Sequence, residues 1–334
     1  YKRQMVDNPN IRKKKTNARK FFQYLSEIQF ESGYPYIMFE DTVNRANPVN
    51  GKISYSNLCS EILQVRTPSQ FNEAGEYEEV GRDISCNLGS MDVARLVKSE
   101  DFGQSVGTAI RALTAVSDQS NIATVPTVKK ANEDYHSVGL GHMNLHGFLM
   151  EAGVAYGSPD ALNFVEHYFR AVAYYGLRES NKIAIERGEV FHEFEKSKYA
   201  DGSFFENIHQ DKVEPNEFTL SVIGDIIPSD EAWRELERSI KENGLYHSYL
   251  FATAPTGSIS YVKHSTASIH PVPSKLEIRK EGKIGRVYYP QYGLNQDNFD
   301  DYEDAYDLGY EKVIDTYATA QKYVDQGMSL TPVS

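Results

Sequence analysis

At 334 residues, with 40% hydrophobic and 25% charged content, the chain is long enough for a large core and reads as a globular protein. Its 35 basic and 47 acidic side chains leave a net charge of −12, which argues against general binding to nucleic-acid phosphates. No apolar run approaches a membrane span, and two cysteines in so long a chain point to a reducing compartment, where a disulfide would be redox-active rather than a staple.

The basic opening Arg12-Lys13-Lys14-Lys15 reads as a solvated lead-in. Thr16 and Asn17 can cap a helix whose apolar residues Phe21, Phe22, Leu25 and Ile28 recur at helical spacing and which Gly33 ends. Tyr36-Ile37-Met38-Phe39 predicts a buried strand, and a polar turn from Asn44 to Gly51 leads into Ser56-Asn57-Leu58-Cys59-Ser60-Glu61-Ile62. In an extended finger, positions i, i+2 and i+4 share a side, so Asn57, Cys59 and Glu61 would form one polar row. A thiol beside an amide and a carboxylate is a set of parts for chemistry on a hydroxylated substrate. A buried, inert thiol is the bland alternative.

Residues 66–83 are expected to form a surface loop or hairpin, and Ile84-Ser85-Cys86-Asn87-Leu88 a short strand. Val106, Ile110, Leu113 and Val116 mark an amphipathic helix, and Val138 to Gly141 a strand or tight strand–helix junction. His142 and His146 stand at i, i+4 but lack a third ligand at matching spacing, so they are read as helix-surface or packing histidines and no metal site is expected. Ser158-Pro159-Asp160 opens a helix running to Gly188, with Leu162, Val165, Phe169, Val172 and Tyr175 on its inner stripe. A polar loop (189–218) precedes a helix from Ser229 to Gly244, and Tyr249 to Ala254 forms an apolar strand feeding Pro255-Thr256-Gly257-Ser258-Ile259-Ser260. Hydroxyls and a glycine there could cradle a phosphate if a helix follows, although the Walker A ending is missing. A hairpin turning at Lys280–Lys283 and one or two helices, begun by the acidic 299–306 segment and ended by Gly327, close the chain. Strands alternating with helices imply an α/β fold with parallel strands.

Asn57-Leu58-Cys59-Ser60-Glu61, Cys86-Asn87-Leu88 and Ala254 to Ser260, in that order, resemble the large catalytic subunit of ribonucleotide reductase. So do Trp233-x-x-Leu236, Gly244-Leu245-Tyr246-His247 and Ala252-x-x-Pro255, with Phe251 bulkier than that pattern expects. The likeness runs from Phe30 to Met38 at one end and from Val324 to Thr331 at the other, and its details look most like the bacterial and phage class Ib type. It implies the second half of a ten-stranded α/β barrel, spanning 1–334, with a finger loop (about 52–64) carrying Cys59 and a phosphate loop at 255–260.

The resemblance also implies roles. Cys59 would be the thiyl radical that removes the 3′ hydrogen of a ribonucleoside diphosphate, Glu61 the base on the 3′ hydroxyl, and Asn57 a hydrogen-bond partner of the ribose. Cys86 would supply reducing equivalents with a partner thiol that no earlier cysteine of this chain provides. Asn57 to Glu61, Leu88 and Pro255 to Ile259 would touch substrate. No cofactor is expected on this chain: a dimetal-tyrosyl small (beta) subunit would generate the radical, and a glutaredoxin- or thioredoxin-like dithiol would re-reduce the site. The implied setting is the bacterial cytoplasm, phage-encoded or not, with a homodimer when complete.

The ends, Tyr1-Lys2-Arg3-Gln4 without an initiator Met and an apolar segment cut by Pro332, are those expected of a piece of a split or longer reductase, inactive alone. An adenosylcobalamin-dependent reductase, a nucleotide-binding fragment and a non-catalytic scaffold are the alternatives.

Overall fold

The computed structural model describes residues 6, 8–120, 122–210, 213–283 and 285–330, in two compact units, 1–39 and 40–334. The opening Tyr1 to Gln4 and the closing Thr331 to Ser334 lie outside the described residues. In the first unit, helix α1 (Ala18–Ser32) begins at Asn17, whose side chain accepts from the Lys20 N–H, and ends at Gly33 in the left-handed conformation. The expected strand at Tyr36–Phe39 does not form: the segment is irregular, and Tyr36, Ile37 and Phe39 are exposed. Its apolar run finds no strand to pair with among the described residues, and without a ladder an isolated strand is not stable.

The second unit contains the hairpin expected between 66 and 83, β1 (Gln70–Phe71) against β2 (Tyr77–Glu79). Strand β3 (Leu88–Asp92) leads through a short helix to α2 (Phe102–Gln119), which buries Val106, Ile110 and Leu113 but leaves Val116 exposed. Strand β4 (Gly139–Met143) lies parallel to β3 over its whole length, Leu88 facing Gly139 and Asp92 facing Met143. The 29-residue α3 (Pro159–Arg187) starts on the Ser158 cap and stops at left-handed Gly188. The polar stretch that follows is not a plain loop: it folds into short helical turns between Phe194 and Gln210 and again at Glu217–Ile223. Their aromatic residues Phe194, Tyr199 and Phe205 enter the core, a packing that polar composition alone conceals. Helix α4 (Asp230–Asn243) opens on the Ser229 cap, α5 is Gly257–Lys263, β5 (Leu276–Glu281) pairs antiparallel with β6 (Gly285–Pro290), and α6 is Tyr310–Gln321.

Beyond β4, the parallel array continues in two single rungs, Leu140 with Phe251 and Thr253 with Met328. Four chain segments are therefore aligned side by side, each joined to the next by a helical crossover, as parallel strands require. The array is open, and no closed barrel forms among the described residues. Gly327 does not end the last helix, which stops at Gln321, but belongs to the fourth of these segments. His142 lies on β4 and His146 on the next helix, so the two do not share a helix face; both are fully buried among aromatic rings. Among the described residues no group of three or more His, Cys, Asp or Glu is placed to hold a metal, and no helix is long and apolar enough to cross a membrane.

Candidate functional site around Cys59, Glu61 and Cys86

The segment carrying Cys59 is a closed turn, not the extended row that its spacing suggests. The Ser60 N–H donates to the Asn57 carbonyl at 3.1 Å, and Ser60 adopts a left-handed φ of 64°. The Asn57 side chain folds back to accept the Ile62 N–H at 3.1 Å, while the Ser56 hydroxyl donates to the Ile62 carbonyl at 2.9 Å. Asn57 Oδ1 thus staples the loop, leaving its Nδ2 as the group with donors to offer. Ile62 is buried, Leu58 is 75% exposed and Cys59 is half-buried.

Glu61 is only 3% exposed, and its Oε2 is buried without a hydrogen-bond partner among the described residues. Its carbonyl accepts the Gly327 N–H at 2.9 Å. A Cβ on Gly327 would run into the Ser60 carbonyl oxygen and lie 3.2 Å from the Glu61 Cα, so this approach requires glycine. The sequence offers a signal for this in an isolated glycine, but nothing local identifies its partner more than 260 residues away.

Cys86 precedes β3 rather than lying within a strand, and is exposed. Both thiols are held above the ordinary thiol range. For Cys59 burial is the first cause and the Glu61 carboxylate the second; for Cys86 the order is burial, Glu61 and then Cys59. Since Cys86 keeps solvent access, desolvation acts on it only in part. The three groups therefore feel one another electrostatically, and both sulfurs remain protonated thiols at neutral pH. Leu88, the first residue of β3, packs its side chain against Gly139, where a Cβ would collide with it.

The 255–260 loop joins this cluster through the ladder. The Thr253 N–H donates to the Gly327 carbonyl at 3.1 Å and the Ser329 N–H to the Thr253 carbonyl at 2.8 Å. Pro255 lies two residues further on, a rise of about 7 Å at strand spacing. Thr256 is left-handed (φ 54°), and its Oγ1 accepts the Ser268 N–H at 2.7 Å. The Ser260 hydroxyl donates to the Gly257 carbonyl at 2.9 Å. Two of the hydroxyls expected to meet a phosphate are therefore used internally, whereas Gly257, Ser258 and Ile259 present an exposed edge at the first turn of α5. N–H groups of a first helical turn lack intrahelical acceptors. Behind the loop, the Ser265 hydroxyl donates to Asp92, whose other oxygen accepts from Asn144 Nδ2 at 3.1 Å, tying the far end of α5 to the ends of β3 and β4.

The family described as ribonucleotide reductase, barrel domain, matches residues 1–332. The chain belongs to this family. The alpha subunit of ribonucleoside-diphosphate reductase from Mycoplasma pneumoniae is 47% identical over 98% of this chain and 47% of its own length. The corresponding Bacillus subtilis subunit is 42% identical over 98% of the chain and 47% of its own length. The nrdEB alpha subunit of Bacillus phage SPbeta is 42% identical over 82% of the chain and 25% of its own length. The chain thus spans about half the length of the first two reductase subunits.

Proposed function

We propose that the chain forms the catalytic part of a ribonucleoside-diphosphate reductase and makes deoxyribonucleotides for DNA synthesis together with further large-subunit segments. The observation that carries this reading is the cluster itself: a buried carboxylate oxygen without a partner, next to two protonated thiols that both sense its charge. A Cys59 thiyl radical takes the 3′ hydrogen of the substrate, and Glu61 takes the proton of the 3′ hydroxyl. The 2′ hydroxyl leaves as water with a proton from a thiol. Cys86 and a partner thiol outside this chain give up two electrons and close to a disulfide, and Cys59 recovers its radical when it returns the hydrogen. Asn57 Nδ2 donates to the ribose.

The remaining assignments follow from the same reading. Pro255 to Ile259 bind the diphosphate through exposed N–H groups and Ser258. Leu58 and Ser60 shape the ribose pocket from the turn, and Leu88 from the start of β3. The open parallel array supports half of a ten-stranded barrel with the 52–64 segment as its finger. A radical-generating beta subunit and a glutaredoxin- or thioredoxin-like reductant complete the cytoplasmic enzyme, which works as a homodimer.

The test is ribonucleoside-diphosphate reduction by this chain with separately supplied large-subunit segments and a matching beta subunit. Activity that depends on all components and disappears in Cys59→Ser and Glu61→Gln is the expected result. An assembled complex that stays inactive would leave a nucleotide-binding scaffold.

A further inference from the structure

We propose that the buried side-chain amides of Gln64 and Gln326 are positioning residues that hold the Cys59–Glu61 turn and the Cys86 segment in one fixed register. This rests on the reductase reading above, in which those two segments must meet the same substrate. Gln64 follows Glu61 by three residues, and its Oε1 accepts the Ser85 N–H at 3.2 Å. Its Nε2 donates to the Ser85 carbonyl at 2.9 Å and to Gln326 Oε1 at 3.0 Å. Gln326 Nε2 in turn donates to the Val138 carbonyl, at 2.9 Å.

The amide orientations are fixed by this chemistry. A backbone N–H only donates and a carbonyl only accepts, so flipping Gln64 would set like against like at Ser85. Gln64 therefore pairs with both polar groups of the residue next to Cys86, as a neighbouring strand would. Gln326 extends the pairing to the start of β4 and immediately precedes Gly327, whose N–H holds the Glu61 carbonyl. Both glutamines are buried, so neither amide exchanges these partners for water. Four segments distant in sequence converge here. None of these hydrogen bonds goes to a thiol or to the Glu61 carboxylate, so their effect on chemistry passes through placement.

Placement has a readout that needs no turnover. Burial first, and then the fields of Glu61 and Cys59, hold the Cys86 thiol up, so its pH profile reports how its segment is seated against that turn. In the full chain, site-resolved alkylation of Cys86 by iodoacetamide would be followed across pH for wild type, Gln64→Met, Gln326→Met and the double variant. Methionine keeps the volume and removes the polar pairing. Each single variant is expected to move the Cys86 midpoint down toward the ordinary thiol value, raising alkylation near neutral pH about threefold for each half unit. The double variant is expected to add little, because the amides act as one unit.

Ile240→Ala serves as the control, since it opens a core cavity in α4, a helix that supplies none of the clamp's hydrogen bonds. It should destabilise the protein without moving the profile. An unchanged profile in either folded methionine variant, or an equal shift in Ile240→Ala, would overturn the proposal. In the reconstituted reductase the methionine variants should lower kcat at least tenfold with little change in KM. Failure of wild-type reconstitution would bear on the reductase reading alone, because the thiol profile is measured without it.

Discussion

Two acids stand on either side of Gln326–Gly327, Glu61 buried and Asp325 half-buried, and they are treated in opposite ways. Asp325 accepts the Leu250 and Phe251 N–H groups at 2.8 Å each and the Tyr199 hydroxyl at 3.1 Å. Glu61, reached from the next residue but one through the Gly327 N–H, has a buried oxygen with no partner. A buried polar atom is normally paired, so a carboxylate with all its bonds made belongs to the scaffold, and one left open is ready for a ligand. Burial would have favoured Glu61 for the scaffold role; the bonds reverse that order.

Removing each acid should therefore do opposite things. Asp325→Ala strands two backbone donors and a tyrosine hydroxyl, each unpaired group costing about 1–3 kcal/mol, so denaturant unfolding should show a loss of several kcal/mol. The same carboxyl also sets a pH dependence. Burial pushes it up from the ordinary 3.8 to about 7, against the pull of its hydrogen bonds. The folded state then keeps a proton that the unfolded state has released, so this contribution to stability is full below about pH 4 and is lost as pH rises toward 7. Comparing wild type with Asp325→Asn across that range should show the slope only in wild type.

Glu61→Gln should leave unfolding within about 1 kcal/mol of wild type, because Oε2 has no hydrogen-bond partner to lose among the described residues. Reductase activity should nevertheless fall by about 10²–10⁴, the usual worth of a general base. A Glu61→Gln variant that unfolded as readily as Asp325→Ala would erase the distinction between the two acids. Gly327→Ala tests the strand between them. Its Cβ would push on the Ser60 carbonyl, costing about 1–3 kcal/mol by overpacking. Activity should drop further than that stability loss accounts for, since the displaced atoms belong to the turn that carries Cys59.

What could be read from sequence was mostly what is decided locally. Ser158, Ser229 and Asn17 cap the helices they were expected to start, because a cap needs only its own side chain and the next N–H groups. The hairpin at 276–290 was legible for the same reason, whereas Asn57, Cys59, Glu61 and Cys86 were singled out through motifs. The shape of the cluster was not. Alternation predicts an extended row at 57–61, but a left-handed Ser60 and the Asn57 staple close it into a turn. Gly327 looked like a helix stop because its true neighbour, Ser60, is remote in the chain. Tyr36–Phe39 carries a strand-like apolar run, yet the segment is irregular and Tyr36, Ile37 and Phe39 are exposed.

The 255–260 loop yields the smallest expected effect and extends the contrast from acids to hydroxyls. Thr256 looks like a phosphate ligand in sequence, yet its Oγ1 already accepts the Ser268 N–H and holds the left-handed start of α5. Ser258 is exposed on the same turn. If engaged hydroxyls shape the loop while exposed ones meet the ligand, Ser258→Ala should raise the substrate KM about threefold to tenfold, the loss of one hydrogen bond, with stability unchanged. Thr256→Ala should instead lower the unfolding midpoint and raise KM only as far as the loop distorts, and Thr256→Ser, which keeps the oxygen, should restore both. Equal KM effects from Ser258→Ala and Thr256→Ala, with stability untouched in each, would mean that the Thr256 hydroxyl leaves Ser268 when substrate binds.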